Sequence, residues 1–195
     1  MEYPNSDLLK SFAAEVNGNY IERKYHESSM VQIIYKRWSI IFDNYTEFRV
    51  SGANTIEQRY ARVYASIHSL DNFRFEIYNK NILSSISKIF GAQDISVDDV
   101  KFDNKYIIKA NNDLKIKTLL KNRRVKDKIL SINKVNLEVS DRNGIWEEKL
   151  PENEYQLAYF VEEPIMRVEI LRSLFELFKE ILDQLVIINS IKASS

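Results

Sequence analysis

The sequence predicts an α+β protein, a meander-rich antiparallel sheet of seven or more strands with helices packed on one face. Three observations predict it. Residues 30–78 read as several strands in succession, with one glycine (Gly52), no proline and no helical period between them. Further strand patterns recur around Ile107, Leu137 and Tyr159. The chain then closes on a long helix with one apolar side. Closure of the same sheet into a barrel is a variant the pattern leaves open.

The elements follow in order. Asn5 or Ser6 can cap a first helix through Leu8, Leu9, Phe12, Ala13 and Val16, which Asn17-Gly18 stops. Val31, Ile33 and Tyr35 alternate with Gln32, Ile34 and Lys36, and Trp38, Ile40 and Phe42 with Ser39, Ile41 and Asp43, at the period of a strand. Asp43-Asn44-Tyr45 predicts a turn, because Asp and Asn bond their own backbone there. Phe48 and Val50 then read as a separate strand, closed by Ser51-Gly52-Ala53-Asn54. Along the next strand Arg59, Ala61, Val63, Ala65 and Ile67 share one face, and Tyr60, Arg62, Tyr64 and Ser66 the other. Phe73, Phe75 and Ile77 face inward, opposite Arg74, Glu76 and Tyr78.

A helix through Ile82, Leu83, Ile86, Ile89 and Phe90 ends at Gly91. The acidic segment 94–101 reads as a loop and as the one candidate subdomain junction (residues 91–101) in a single domain spanning residues 1–195. Asn112 or Asp113 starts a helix that Arg123-Arg124 breaks before a second piece ending near Ile132. Asp141-Arg142-Asn143-Gly144 is a hairpin turn. Pro164 suits the first position of the last helix, with Glu162 and Glu163 at its positive end. On that helix's polar side Glu169–Arg172, Arg172–Glu176 and Lys179–Asp183 stand at ion-pair spacing. Its wide apolar stripe predicts packing across the sheet, with a homodimer through this C-terminal helix as the rival reading.

Composition narrows the function classes. The 45% hydrophobic and 12% aromatic shares are too high for a disordered chain. Equal numbers of basic and acidic residues, 28 each, argue against nucleic acid, whose binders carry a basic excess. Without cysteine there is no thiol nucleophile, disulfide or thiolate-held metal, which fits a reducing cytoplasm. The start of the chain lacks a basic–apolar leader, and no apolar run approaches the ~20 residues of a membrane span. The expectation is a soluble cytoplasmic protein.

No chemistry-bearing motif stands out. His26 and His68 lack metal-ligand spacing, and no phosphate-cradling loop or nucleophile elbow occurs. Asp71 near His68 makes a weak acid–base candidate. Asp94, Asp98, Asp99 and Asp103 cluster, but their spacing fits solvated caps better than a calcium loop. No catalytic residue, metal ligand or cofactor is therefore assigned. The candidate ligand-binding residues are Arg59, Arg62 and Arg74 with Tyr60 and Tyr64, a basic–aromatic face able to hold anionic or planar groups. Ordinary cross-strand pairing is the plainer reading of the same residues. Lys115, Lys117, Lys121, Arg123, Arg124, Lys126 and Lys128 form the one basic concentration.

Residues 71–78, leading through Ser84-Ser85-Ile86 to Phe90-Gly91, and residues 102–109, resemble a group of uncharacterised bacterial proteins of unknown function. In that group a Phe-Asp-x-x-Phe/Tyr strand precedes a helix and two or three strands. The resemblance covers about half of the chain, implies a bacterial origin, and brings no activity or functional residue with it. Read from the residues alone, Phe102, Tyr106 and Ile108 are alternating positions on the buried face of one strand.

The leading functional expectation is a non-enzymatic binding or scaffold module, with an unknown protein or small molecule as partner. A small-ligand protein or metal-independent enzyme working with Asp, Glu, Tyr and Arg is the second reading. A peripheral membrane or regulatory module using residues 115–128 is the third.

Overall fold

The computed structural model describes residues 6–22, 29–51, 54–81, 94–143 and 148–193, with the backbone alone at positions 45–47, 49–51, 54 and 56. The expected helix over Ile82–Phe90, His26, the Gly52 turn and the Gly144 hairpin tip lie outside the described residues.

The architecture is α+β. Among the described residues one antiparallel sheet holds eight strands: β1 (Asn19–Ile21), β2 (Met30–Tyr35), β3 (Trp38–Ser51), β4 (Asn54–His68), β5 (Phe75–Asn79), β6 (Tyr106–Ala110), β7 (Asn136–Ser140) and β8 (Glu154–Val161). Their spatial order is β1-β2-β3-β4-β8-β7-β5-β6. The first four form a meander, and β8 and β7 then separate β4 from β5. The sheet is open, with β1 and β6 as its edges, so the barrel variant does not hold.

The five described helices are α1 (Ser6–Glu15), α2 (Val100–Lys105), α3 (Asp113–Lys121), α4 (Arg123–Ser131) and α5 (Val168–Ile187). On α5, Leu171, Leu174, Leu177, Phe178, Ile181, Leu182 and Leu185 are buried within the one chain. They join a core built from the inward sheet residues Ile40, Phe42, Val63, Leu157, Leu137, Ile77 and Ile108. From α1, Phe12 meets Phe42 edge-on, with ring centroids 5.0 Å apart. The polar side of α5 pairs outside the helix more than along it: Arg172 with Glu15, and Asp183 with Lys36 at 2.5 Å. Lys179 takes Glu176 at 2.7 Å instead of Asp183.

Local chemistry explains several boundaries. Asn17 adopts a left-handed φ of 54°, and Gly18 N–H donates to the Ala13 carbonyl at 2.8 Å, closing α1. Gly18 is required for space as well: a Cβ there would lie 3.0 Å from Ile33 Cγ1 and 3.3 Å from the Gln32 carbonyl. Asn112 caps α3 through Lys115 N–H, and Asn122 both ends α3 and caps α4 through Arg124 N–H.

Four expectations need correction. Asp43-Asn44-Tyr45 is no turn, and Phe48–Val50 no separate strand: β3 runs unbroken for 14 residues, with Asp43 paired to Arg62 across the sheet. Phe102 sits on α2, not on a strand, because Asp99 accepts from Phe102 N–H and starts a helical turn; only Tyr106 and Ile108 belong to β6. Glu76 and Tyr78 do not face solvent, since β5 lies between β6 and β7 and is buried on both faces. Finally, α5 starts at Val168, not Pro164: Arg167 is extended at φ −135° and Ile165 turns into the core. Residues 164–167 therefore lead into the helix as a non-helical strap.

Candidate functional site

The register divides the sheet into two unlike faces. Val63, Tyr159, Leu137, Ile77 and Ile108 form one cross-strand row on the core face. The adjacent row on the second face reads Tyr64, Ala158, Glu138, Glu76 and Lys109. Glu76 and Glu138 thus stand directly opposite each other on neighbouring strands, each 2% exposed. Neither oxygen of Glu76 receives a hydrogen bond. Burial raises the Glu76 pKa to about 7, against a partial opposing pull from Lys109. Burial and the neighbouring Glu76 raise Glu138 to about 8. Close like charges in a dry setting cannot both ionise cheaply, so at neutral pH the pair retains protons.

The sequence candidates fall in different places. Arg62 and Tyr64 lie on this second face, as does Tyr60, which is buried. Arg62 forms a two-bond ion pair with buried Asp43, at 2.9 and 2.6 Å, and lies 4.4 Å from the Tyr64 ring centroid. That guanidinium is already engaged. Arg59 has the opposite strand parity and pairs with Glu57 at 2.7 Å in solvent. Arg74 bonds Asp141 at 3.0 Å in a polar cleft of about 340 Å³, lined also by Asn72, Tyr155 and Glu152. Three of the five candidates therefore share one face, and no single site gathers all five.

His68 faces Glu154 at 3.5 Å rather than Asp71, which bonds Phe73 N–H, Lys115 and Ser190. Asp99 is spent on its cap and on Lys126, and Asp103 on Ser96 and Val97. Among the described residues no three His, Asp or Glu side chains converge as a metal site. In the basic segment Lys115, Lys126, Arg123 and Arg124 are paired with acids. Among the described residues no helix is long and apolar enough to cross a membrane.

The second cleft was not legible in the sequence. It has a volume of about 400 Å³, within the range of small-molecule sites, and opens where the 164–167 strap passes the start of α5. Ile132, Tyr159, Val161, Ile165, Met166 and Ile170 give it an apolar lining. The Tyr159 hydroxyl is turned away from acid–base work: it donates to the Lys134 carbonyl at 2.8 Å, and burial pushes its pKa up. Lys134 and Glu163 pair across the rim at 2.7 Å. Arg167 stands at the same rim without an ion pair or side-chain hydrogen bond among the described residues.

The fold and this cleft define an open-sheet α+β protein with a small, mostly apolar cavity beside its C-terminal helix. No family model and no curated protein matches the chain. Among solved structures it is similar to the crystal structure of the mycobacterial trehalose monomycolate transport factor A, TtfA. Identity is 10% and the TM-score 0.48, over 93% of this chain and 97% of that one. A likeness at that level carries no argument about what this chain does.

Proposed function

We propose that the protein is a non-enzymatic binding module that takes a small apolar ligand in the cleft beside α5. The observation that carries this reading is the separation of the chemistry from the openings. Glu76 and Glu138, the carboxylates with raised pKa values, lie buried on the second face of the sheet. Neither lines a described cleft. A general acid or base must reach the proton it moves, and this pair is not placed to do so. The α5 cleft has the concavity and apolar lining of a binding site but no carboxylate pair and no metal cluster.

The test is titration with N-phenyl-1-naphthylamine, an uncharged apolar fluorophore. Saturable binding at one site is expected. Ser173, at the cleft edge, is only partly buried, so Ser173→Trp fills the cavity from solvent. It is expected to abolish binding while leaving the thermal unfolding midpoint within a few degrees. Absent binding, or binding unchanged in Ser173→Trp, would remove the reading.

A further inference from the structure

We propose that the ligand of the α5 cleft is a single-chain amphiphile with a carboxylate head, the head lying on Arg167 and the chain along the apolar floor. The inference rests on the binding reading just given and adds the chemistry of the occupant. Three features point to it.

The lining is divided. Its interior is hydrocarbon and aromatic ring, from Ile132, Tyr159, Val161, Ile165 and Ile170, whereas its charges sit at the rim. An apolar ligand without a polar end would match the floor and leave the mouth unmatched; an amphiphile matches both.

The rim charge has one sign to offer. Lys134 and Glu163 neutralise each other, so Arg167 carries the net positive charge of the lining. Glu162 and Glu169 flank the strap in sequence but do not line the cavity; Glu169, in the first turn of α5, offsets part of the helix-end charge, and Arg167 is the cation left on the lining itself. A planar guanidinium matches a carboxylate with two parallel hydrogen bonds.

The helix end reinforces the same sign. Arg167 is the N-cap of the 20-residue α5, yet no side chain caps that terminus. A helix start has N–H groups to spare and a partial positive charge. Ser, Thr, Asp and Asn are the residues preferred at that position; here the residue supplied is a cation. Cationic cap and cationic pole add, which disfavours a positively charged head and favours a negative one.

The test compares three ligands of equal chain length below their micelle thresholds: dodecanoate, dodecanol and dodecyltrimethylammonium. Each displaces N-phenyl-1-naphthylamine from the protein. Dodecanoate is expected to displace it at a concentration about tenfold lower than dodecanol, the low end of what a charge-assisted pair supplies because Arg167 is exposed, and the ammonium to be weakest. Arg167→Gln is expected to bring dodecanoate to the level of dodecanol with affinity for the uncharged probe retained, and Arg167→Lys to keep part of the preference. Equal displacement by all three ligands in the native chain, or a preference unchanged in Arg167→Gln, would overturn the headgroup assignment and leave the cleft itself standing. Loss of probe binding in the native chain would instead remove the binding reading.

Discussion

Asp43 and Arg62 face each other on β3 and β4 and close a two-bond ion pair on the second face of the sheet, with only 1% and 12% of their side chains exposed. This pair sits within the unbroken β3, at the position where local turn chemistry is expected. Removing one partner strands a buried charge. Asp43→Ala is expected to lower stability by about 3–5 kcal/mol, whereas replacing both residues with apolar ones of similar size should cost far less. Urea unfolding of the two single variants and the double variant measures the difference; additive losses would contradict it.

The opposed glutamates set a pH dependence of definite sign. The folded chain holds protons on Glu76 and Glu138 more tightly than the unfolded chain does. Their favourable contribution is complete below the ordinary glutamate pKa of 4.5 and is lost as pH rises toward about 8. Glu138→Gln removes one ionisable partner while keeping its shape. It is expected to raise stability at alkaline pH by about 1–3 kcal/mol and to leave it nearly unchanged at mildly acidic pH. Denaturant midpoints across that range decide it, and a variant less stable than the native chain at alkaline pH would contradict the proton-retaining pair.

Packing of α5 makes a third prediction. Phe178 is fully buried beneath the helix, whereas Ile187 near its end is 66% exposed. Phe178→Ala is expected to cost about 3–5 kcal/mol, and Ile187→Ala no more than about 0.5 kcal/mol. Similar losses at the two positions would mean that the helix is not seated on the sheet as described.

Gly18 is a fourth. A methyl group at Gly18 would press on the Ile33 and Val31 side chains and the Gln32 carbonyl, which must each yield by a few tenths of an ångström. Gly18→Ala is expected to destabilise by about 1–3 kcal/mol, the range for overpacking, even though alanine favours most backbones. A neutral or stabilising result in thermal unfolding would show that β2 yields at that point.

Much of the fold was legible because its signals are local. Asn112 at the start of α3, the break between α3 and α4, and the alternation of Val31, Ile33, Ile40 and Phe42 all depend on neighbours a few residues away. Phe102 was misread against a local signal, the Asp99 cap, but the other failures were set by distant residues. Asp43 has the chemistry of a turn, but Arg62, on the next strand, claims its carboxylate. Glu76 alternates like an outward strand residue, and only the insertion of β7 beside β5 brings Glu138 against it. Pro164 satisfies the local rule for a helix start, yet Ile165 gains more by entering the core. That displaced start opens the cleft at Arg167, so the candidate site lay in a stretch where local helix chemistry misleads. The basic–aromatic face was legible as a face in Arg62, Tyr60 and Tyr64; that its guanidinium was already engaged was not.

The central claim, that the cavity beside α5 receives the ligand, is tested most directly by methyl NMR of isoleucine-labelled protein titrated with dodecanoate. The expected result is a saturable shift confined to Ile132, Ile165 and Ile170, with Ile40, Ile77 and Ile108 in the sheet core unmoved. Shifts centred elsewhere, or none up to the micelle threshold, would contradict it.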